Sequence, residues 1–294
     1  MAGAAKQVAE GVRLVLAPNP SPLTFQGTNS YILGEGRVAV IDPGSAIPAH
    51  LAALLAALAP GETVAAILVT HAHLDHSGLA PALAEATGAP VYAAGGATEG
   101  RSAAMQALAA AGLAGGGEGL DLGFVPDERL TDGQLIAGEG WQVEAVATPG
   151  HLGTHLAFAM GDTVFSGDHV MGWATSIVSP PDGDMGAYMA SLDRLAALRA
   201  QLLLPGHGPE IHDPAARIAE LAAHRRMREA AILAALGPQP QSAEALARAI
   251  YTDIPPTLLP AATRNVFAHL LDLAERGLAR PAGPLGTATG FTRA

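Results

Sequence analysis

Val64-Ala65-Ala66-Ile67-Leu68-Val69-Thr70 runs directly into His71-Ala72-His73-Leu74-Asp75-His76. The first seven residues are apolar or β-branched and read as a buried strand. The next six hold three imidazoles and a carboxylate. A strand that ends this way delivers such side chains at a sheet's edge, into a cleft. Imidazole nitrogen and carboxylate oxygen suit zinc, and also iron or manganese.

Three later runs end in the same manner. Trp141 to Ala147 leads to Thr148-Pro149-Gly150-His151. Asp162-Thr163-Val164-Phe165 leads to Ser166-Gly167-Asp168. Gln201-Leu202-Leu203-Leu204 leads to Pro205-Gly206-His207-Gly208. In each, an apolar run closes with a glycine that lets the backbone turn sharply, then a His or Asp follows. Four strand ends that each carry metal-binding side chains point to one shared site.

This order of H-x-H-x-D-H, then His, Asp and His, resembles the metallo-β-lactamase superfamily across roughly residues 25 to 210. The flanks Gln26-Gly27-Thr28-Asn29-Ser30-Tyr31 and Ile41-Asp42-Pro43-Gly44 resemble the β-lactamase-like protein 2 group in particular. The resemblance implies a four-layer αββα sandwich; periodicity alone reads only as α/β. It implies two divalent metal ions, zinc first, with iron or manganese as alternatives. His71, His73 and His151 would hold one ion, and Asp75, His76 and His207 the other. Asp168 would bridge both, neutralising two cations at once. A hydroxide shared by the metals would attack the substrate, with Asp75 orienting it and carrying its proton. Asp42 is expected to hold the loops behind the metals by hydrogen bonds.

Composition narrows the field. The chain has 294 residues, 49% of them hydrophobic and 15% charged, which suits a globular enzyme with a sizeable core. It has no cysteine, so disulfides, thiolate ligands and thiol nucleophiles are excluded. No apolar run reaches the ~18 residues of a membrane span. The N-terminus lacks a basic start followed by an apolar core, so the cytoplasm is the expected location. Net charge is −11, and the chain has one lysine, Lys6. Residues 1–210 hold 20 acidic and 7 basic groups, whereas residues 211–294 hold 7 and 9. No basic stripe for a nucleic-acid backbone is present.

Three segments are expected: a catalytic domain over 1–210, a connecting helix and linker over 211–240, and a winged-helix-like domain over 241–294. The linker is marked by Gly237-Pro238-Gln239-Pro240. Within the last segment Ser242 is expected to cap a helix over Ala243 to Tyr251, a second helix to begin near Thr257, and a third to run from Arg264 to Gly277. The third helix carries one Arg and one Asp in its first nine residues, so DNA binding is disfavoured and a domain that walls the cleft is expected instead. Earlier, Ala103 to Ala111 reads as a helix and Gly112 to Gly119 as a glycine-rich loop.

Several other residues are weighed individually. His155 is as much a surface candidate as one for a place behind the ligands or against substrate. Trp173, Tyr188 and Met171 follow the Asp168 loop and are candidates for lining a pocket. His169 is expected to pack, and His50 and His269 have no context. His224, Arg225, Arg226 and Arg228 read as a solvated helix face, with anion binding as the sharper alternative.

The expected activity is metal-dependent hydrolysis of an ester, thioester, lactone or amide carbonyl in a small-molecule substrate. Alternatives are single-strand RNA cleavage, weak β-lactamase activity and, outside enzymes, a metal-sensing DNA-binding regulator. A homodimer through the helix over 215–236 or the apolar C-terminal helices is a further expectation.

Overall fold

A computed structural model describes residues 3–115 and 119–294; part of the glycine-rich stretch over 112–119 therefore lies outside the described residues. A seven-stranded sheet follows chain order: β1 (Ala5–Ala9), β2 (Val12–Leu16), β3 (Asn29–Leu33), β4 (Arg37–Ile41), β5 (Thr63–Leu68), β6 (Val91–Ala93) and β7 (Glu128–Arg129). β1 to β4 are antiparallel, and β4 to β7 are parallel. A five-stranded sheet holds β8 (Leu135–Gly138), β9 (Trp141–Ala147), β10 (Leu156–Met160), β11 (Thr163–Gly167) and β12 (Leu202–Pro205). Only its last pair, β11 with β12, is parallel.

Side-chain alternation stacks these sheets into layers. Tyr31, Leu33, Ala39, Ile41, Ala66 and Leu68 face the second sheet and meet Val143, Phe158, Phe165 and Leu204 between the two. Ile32, Val38, Val40 and Ile67 point the other way, onto α1 (Pro48–Ala56) and, through Leu83, α3 (Ala80–Thr87). From the second sheet, Val146, Ala157, Val164 and Leu203 face outward onto α5 (Met185–Ala197) and α6 (Pro214–Ala235). The result is helix, sheet, sheet, helix. The middle layer is fully dry at Phe158 and Phe165, and truncating either to Ala should cost ~3–5 kcal/mol. Two shorter helices, α2 (Leu74–Ser77) and α4 (Ala103–Ala110), lie beside the metal-loop sequence and against the C-terminal segment respectively. No helix among the described residues is long and apolar enough to cross a membrane.

The C-terminal segment forms β13 (Gln241–Ser242), α7 (Ala243–Ile250), α8 (Leu259–Glu275), β14 (Ala279–Pro281) and β15 (Gly290–Arg293), with the strands in the order β13-β15-β14. Ser242 caps α7 by accepting the Ala245 N–H. The expected second and third helices are one. Residues 256–258 make a single 3-10 turn, and α8 then runs unbroken because Pro260 falls in its first turn, where proline is tolerated. The α8 side chains Val266, Phe267, Leu270 and Leu273 are buried with Leu246, Phe291 and the α4 residues Met105 and Leu108. α8 is thus occupied by packing along most of its circumference.

Candidate metal centre

Both sheets end at the same place. In the first, parallel β4 and β5 are in register at Ile41 and Leu68, so Asp42 and the Thr70-His71 step emerge side by side. In the second, parallel β11 and β12 are in register at Gly167 and Pro205, and they release Asp168 and His207 together. His151 leaves the β9 end through Gly150, which sits at φ 140°; a Cβ there would lie 2.3 Å from Tyr188 Cα. His73 precedes α2, which carries Asp75 and His76.

The ring nitrogens of these residues converge. His71 Nε2 is 2.9 Å from His73 Nδ1, and His151 Nε2 is 3.1 Å from the same atom. His76 Nε2 is 3.3 Å from His207 Nε2, which is 3.2 Å from Asp75 Oδ2. Asp168 lies between the groups. Its Oδ1 is 3.4 Å from His76 Nε2, and its Oδ2 is 3.4 Å from His207 Nε2 and 3.8 Å from His151 Nε2. Three groupings have the spacing a metal ion needs: His71, His73 and His151; Asp75, His76 and His207; and His71, His76 and Asp168.

The outer nitrogens explain why the inner ones can act as donors to a cation. His151 Nδ1 faces the Ile177 carbonyl at 2.7 Å and His207 Nδ1 the Gly27 carbonyl at 3.2 Å, so both carry hydrogen there. His76 Nδ1 donates to Asp42 Oδ2 at 2.9 Å. Thr70 gives its hydroxyl hydrogen to Asp42 Oδ2, at 2.8 Å, so its oxygen accepts from His71 Nδ1 at 2.9 Å. Asp42 also accepts the Thr70 N–H. This one carboxylate, held at φ 48°, thereby orients His76 directly and His71 through Thr70.

The two triads differ in charge. Burial, and then the neighbouring imidazoles, hold His71 well below its ordinary pKa and push His73 down to about 3. Burial also opposes charge on His76 and His207, but the carboxylates outweigh it. Asp168, Asp75 and Asp42 hold His76 well above its ordinary value, and Asp168 with Asp75 raises His207 to about 9. Asp75 falls to about 2 because His76 and His207 overcome its burial. Asp168 is held below the carboxylate range in the same way, chiefly by His207 and His76. Its buried Oδ1 has no hydrogen-bond partner among the described residues. Converging imidazoles with outward N–H groups and an orphaned buried carboxylate oxygen fit a cation better than they fit one another. Gly206 makes room for this approach, since a Cβ there would lie 2.5 Å from Asp168 Oδ1.

His155 is buried behind the cluster. Its Nε2 accepts the Asp168 N–H at 3.2 Å, and its Nδ1 meets Thr148 Oγ1 at 2.8 Å. Ser176 Oγ holds the Asp168 carbonyl from the other side. Met171 and Trp173 line a cavity beside the cluster, and Trp173 stacks on Phe25 with ring centroids 5.0 Å apart. Tyr188 does not line it. It is fully buried in the layer outside the second sheet, against His169, because α5 faces that sheet and not the cleft.

The basic cluster on α6 also differs from its expectation. Arg225 is 1% exposed. It donates to Asn265 Oδ1 at 3.1 Å and to the Ser176 carbonyl, and its guanidinium lies 5.1 Å from the Tyr188 ring centre. Arg228 stacks over Tyr251 at 4.1 Å. Helix α6 is covered at Arg225 by α8, so Arg225 and Arg228 join the C-terminal domain to the rest of the chain, while Arg226 stays exposed, as expected of a solvated face. Thr70, Ser176 and Asn265 were not singled out from sequence. Thr70 had a signal, its place between a strand and His71; the other two act through contacts far along the chain. Buried His50, whose Nε2 lies 2.8 Å from Ser30 Oγ, is another such case.

Comparison with known proteins agrees with this architecture. Residues 23–207 match the Metallo-beta-lactamase superfamily, and residues 242–284 match the Beta-lactamase associated winged helix domain. The chain belongs to the metallo-β-lactamase superfamily, whose fold defines metal-dependent hydrolases. It is 32% identical over 289 residues to the Beta-lactamase-like protein 2 homolog of Drosophila melanogaster, covering 94% of this chain and 92% of that protein. A beta-lactamase domain protein from Burkholderia ambifaria superposes with a TM-score of 0.80 at 26% identity, covering 100% of this chain and 94% of that one. The protein TTHA1623 in a di-iron-bound form is 32% identical with a TM-score of 0.50, covering 67% of this chain and 93% of its own.

Proposed function

We propose that the protein is a two-metal hydrolase acting on a carbonyl compound: an ester, thioester, lactone or amide. The observation that carries this reading is the convergence of seven His and Asp side chains beside a cavity that no Lys or Arg lines among the described residues. His71, His73 and His151 would hold one divalent ion, Asp75, His76 and His207 the other, with Asp168 shared. Zinc suits these donors, and the di-iron form of TTHA1623 supports iron as the alternative. When bound, the two ions supply an activated water and polarise the scissile carbonyl.

The chain's own residues do the rest. Asp42, through Thr70 and directly, keeps His71 and His76 aimed inward. His155 and Ser176 fix the Asp168 backbone from both sides. Asp75 is the more open of the two carboxylates that line the cavity, at 26% side-chain exposure against 11% for Asp168. It is placed to accept a hydrogen bond from the attacking water and to carry its proton towards the leaving group. An RNA backbone would need cationic groups along the cavity. A DNA-reading role would need a free recognition helix, and α8 is packed from Asn265 to Leu271.

The test is elemental analysis of the purified protein alongside hydrolysis of an aryl ester, a thioester, nitrocefin and single-stranded RNA. About two metal ions per chain and chelator-sensitive turnover of a carbonyl substrate are expected. Chelator-sensitive cleavage of RNA alone would overturn the carbonyl assignment, and less than one ion per chain after reconstitution would overturn the ligand set.

A further inference from the structure

Beside the metal-facing groups, the cavity of about 490 Å³ has a second lining that the hydrolytic chemistry does not use. Tyr251, Ile254, Leu258, Ala261 and Ala262 of the C-terminal domain contribute to it, together with Leu23, Leu74 and Trp173. Three of these leucines are unusually open for large apolar side chains: Leu74 at 50%, Leu23 at 47% and Leu258 at 38%. Phe25, stacked on Trp173, is 43% exposed. Exposed apolar side chains gathered from two domains around one opening mark a surface that an apolar ligand covers.

The polar side chains in this lining are mostly spent on the protein itself. Ser21 donates to Thr24 Oγ1, whose own hydrogen goes to the Asn19 carbonyl. Ser45 Oγ accepts from Asn19 Nδ2 at 3.1 Å. Asn265 Oδ1 takes both the Val178 N–H and Arg225, and its Nδ2 donates to the Ala261 carbonyl. Apart from the metal-facing groups, the Thr175 and Tyr251 hydroxyls and the buried Trp173 Nε1–H have no bond of this kind among the described residues. Such a lining selects chiefly by shape and apolar area, and has no Lys or Arg among the described residues to pair with a phosphate.

We propose that this lobe is an acyl-binding pocket, and that the substrate is a neutral ester or thioester with a bulky apolar acyl group of roughly ten heavy atoms. The proposal rests on the carbonyl-hydrolase reading above and deepens it. Water adds its oxygen to the acyl carbon, and the C–O or C–S bond breaks. The alcohol or thiol departs with one water proton and the acyl group leaves as the acid. The acyl chain lies against Leu258 and Ile254 while its carbonyl reaches the Asp75 and Asp168 side of the cavity. The C-terminal domain therefore determines specificity in this protein.

Two readouts on the metal-loaded protein test this. The first is the kcat/KM ratio for p-nitrophenyl octanoate over acetate. The second is binding of 2-acetylnaphthalene, a neutral ketone that cannot be hydrolysed, followed by tryptophan fluorescence. Octanoate is expected to exceed acetate by about tenfold or more, the discrimination a few methylenes give in an apolar pocket. Leu258→Trp, which fills the lobe, should bring the ratio close to one and weaken ketone binding about tenfold. Leu258→Ala, which crowds nothing, should lower both effects in part. A flat chain-length profile with no saturable ketone binding, while acetate turnover stays chelator-sensitive, overturns the pocket and leaves the hydrolase reading intact. Ketone binding weakened by Leu258→Trp in a protein that turns over no ester supports the pocket and overturns the hydrolase reading. Displacement of the ketone by oligouridylate at lower concentration than by octanoate ester overturns the acyl assignment.

Discussion

The sandwich furnishes one side of the cavity with histidines and carboxylates, and the C-terminal domain furnishes another with Ile254, Leu258 and Ala262. On the first side most groups are held from behind: His76 by Asp42 and His71 by Asp42 through Thr70, His151 and His207 by the Ile177 and Gly27 carbonyls, and the Asp168 backbone by His155 and Ser176. On the second side the apolar groups touch no such partner. Chemistry is placed where geometry is over-determined, and selection where a surface can be changed one side chain at a time. Within a superfamily this lets substrate range drift while the reaction class stays.

That contrast can be broken by experiment. Asp168→Ala removes the carboxylate shared by both triads. Its turnover is expected to fall by ~10³-fold or more, with loss of at least one metal ion per chain by elemental analysis. Asp75→Ala should keep the fold and lose ~10²–10⁴-fold in kcat; full turnover in that variant would remove the residue from the mechanism. Arg225→Met tests the seam between the two sides. It removes the buried donor to the Ser176 carbonyl and one of the two donors to Asn265 Oδ1, and should lower unfolding stability by ~1–3 kcal/mol in denaturant titrations. Asp42→Asn keeps the shape but weakens the hold on both inner histidines, so metal affinity in a chelator competition should drop ~10–100-fold.

The smallest effect is on acid stability. Burial lowers His50 to about 4 and His269, in α8, to about 3, each from an ordinary value near 6.5. Both are therefore neutral when folded and protonated when unfolded between those limits. Stability is intact above about pH 6.5 and declines as pH falls, until His50 levels off near 4 and His269 near 3. His269 loses over the wider range, so hydrogen exchange in α8 should go on rising between about pH 4 and 3, where the rise around α1 has levelled off. Equal rises would mean the two sides share one unfolding unit.

Much of the candidate site was legible because its residues are announced locally: His71, His73, Asp75 and His76 directly after an apolar run, and His151, Asp168 and His207 after an apolar run and a glycine. The layer order depended on resemblance, since the unbroken apolar run Val38 to Ile41 tells that both faces are buried and not what covers them. Helix α5 and strands β1 and β7 are not among the elements read from the sequence above. β7 is two exposed residues recognisable only by pairing with β6. α8 was cut in two because a proline reads as a break unless its place in the first turn is known. Arg225 illustrates the limit most plainly. A run of arginines on a long helix has the composition of a solvated face, and only the covering helix α8 turns it inward.

The pairing of His76 with His207 has a further consequence. These residues stand 131 positions apart in the chain, one from each sheet. An ion held by both would act as a removable cross-link closing a loop of 131 positions, and cross-links of long loops constrain the unfolded chain most. The sandwich would then behave as a sensor of its own cofactor supply, with thermal midpoint rising with the logarithm of free metal.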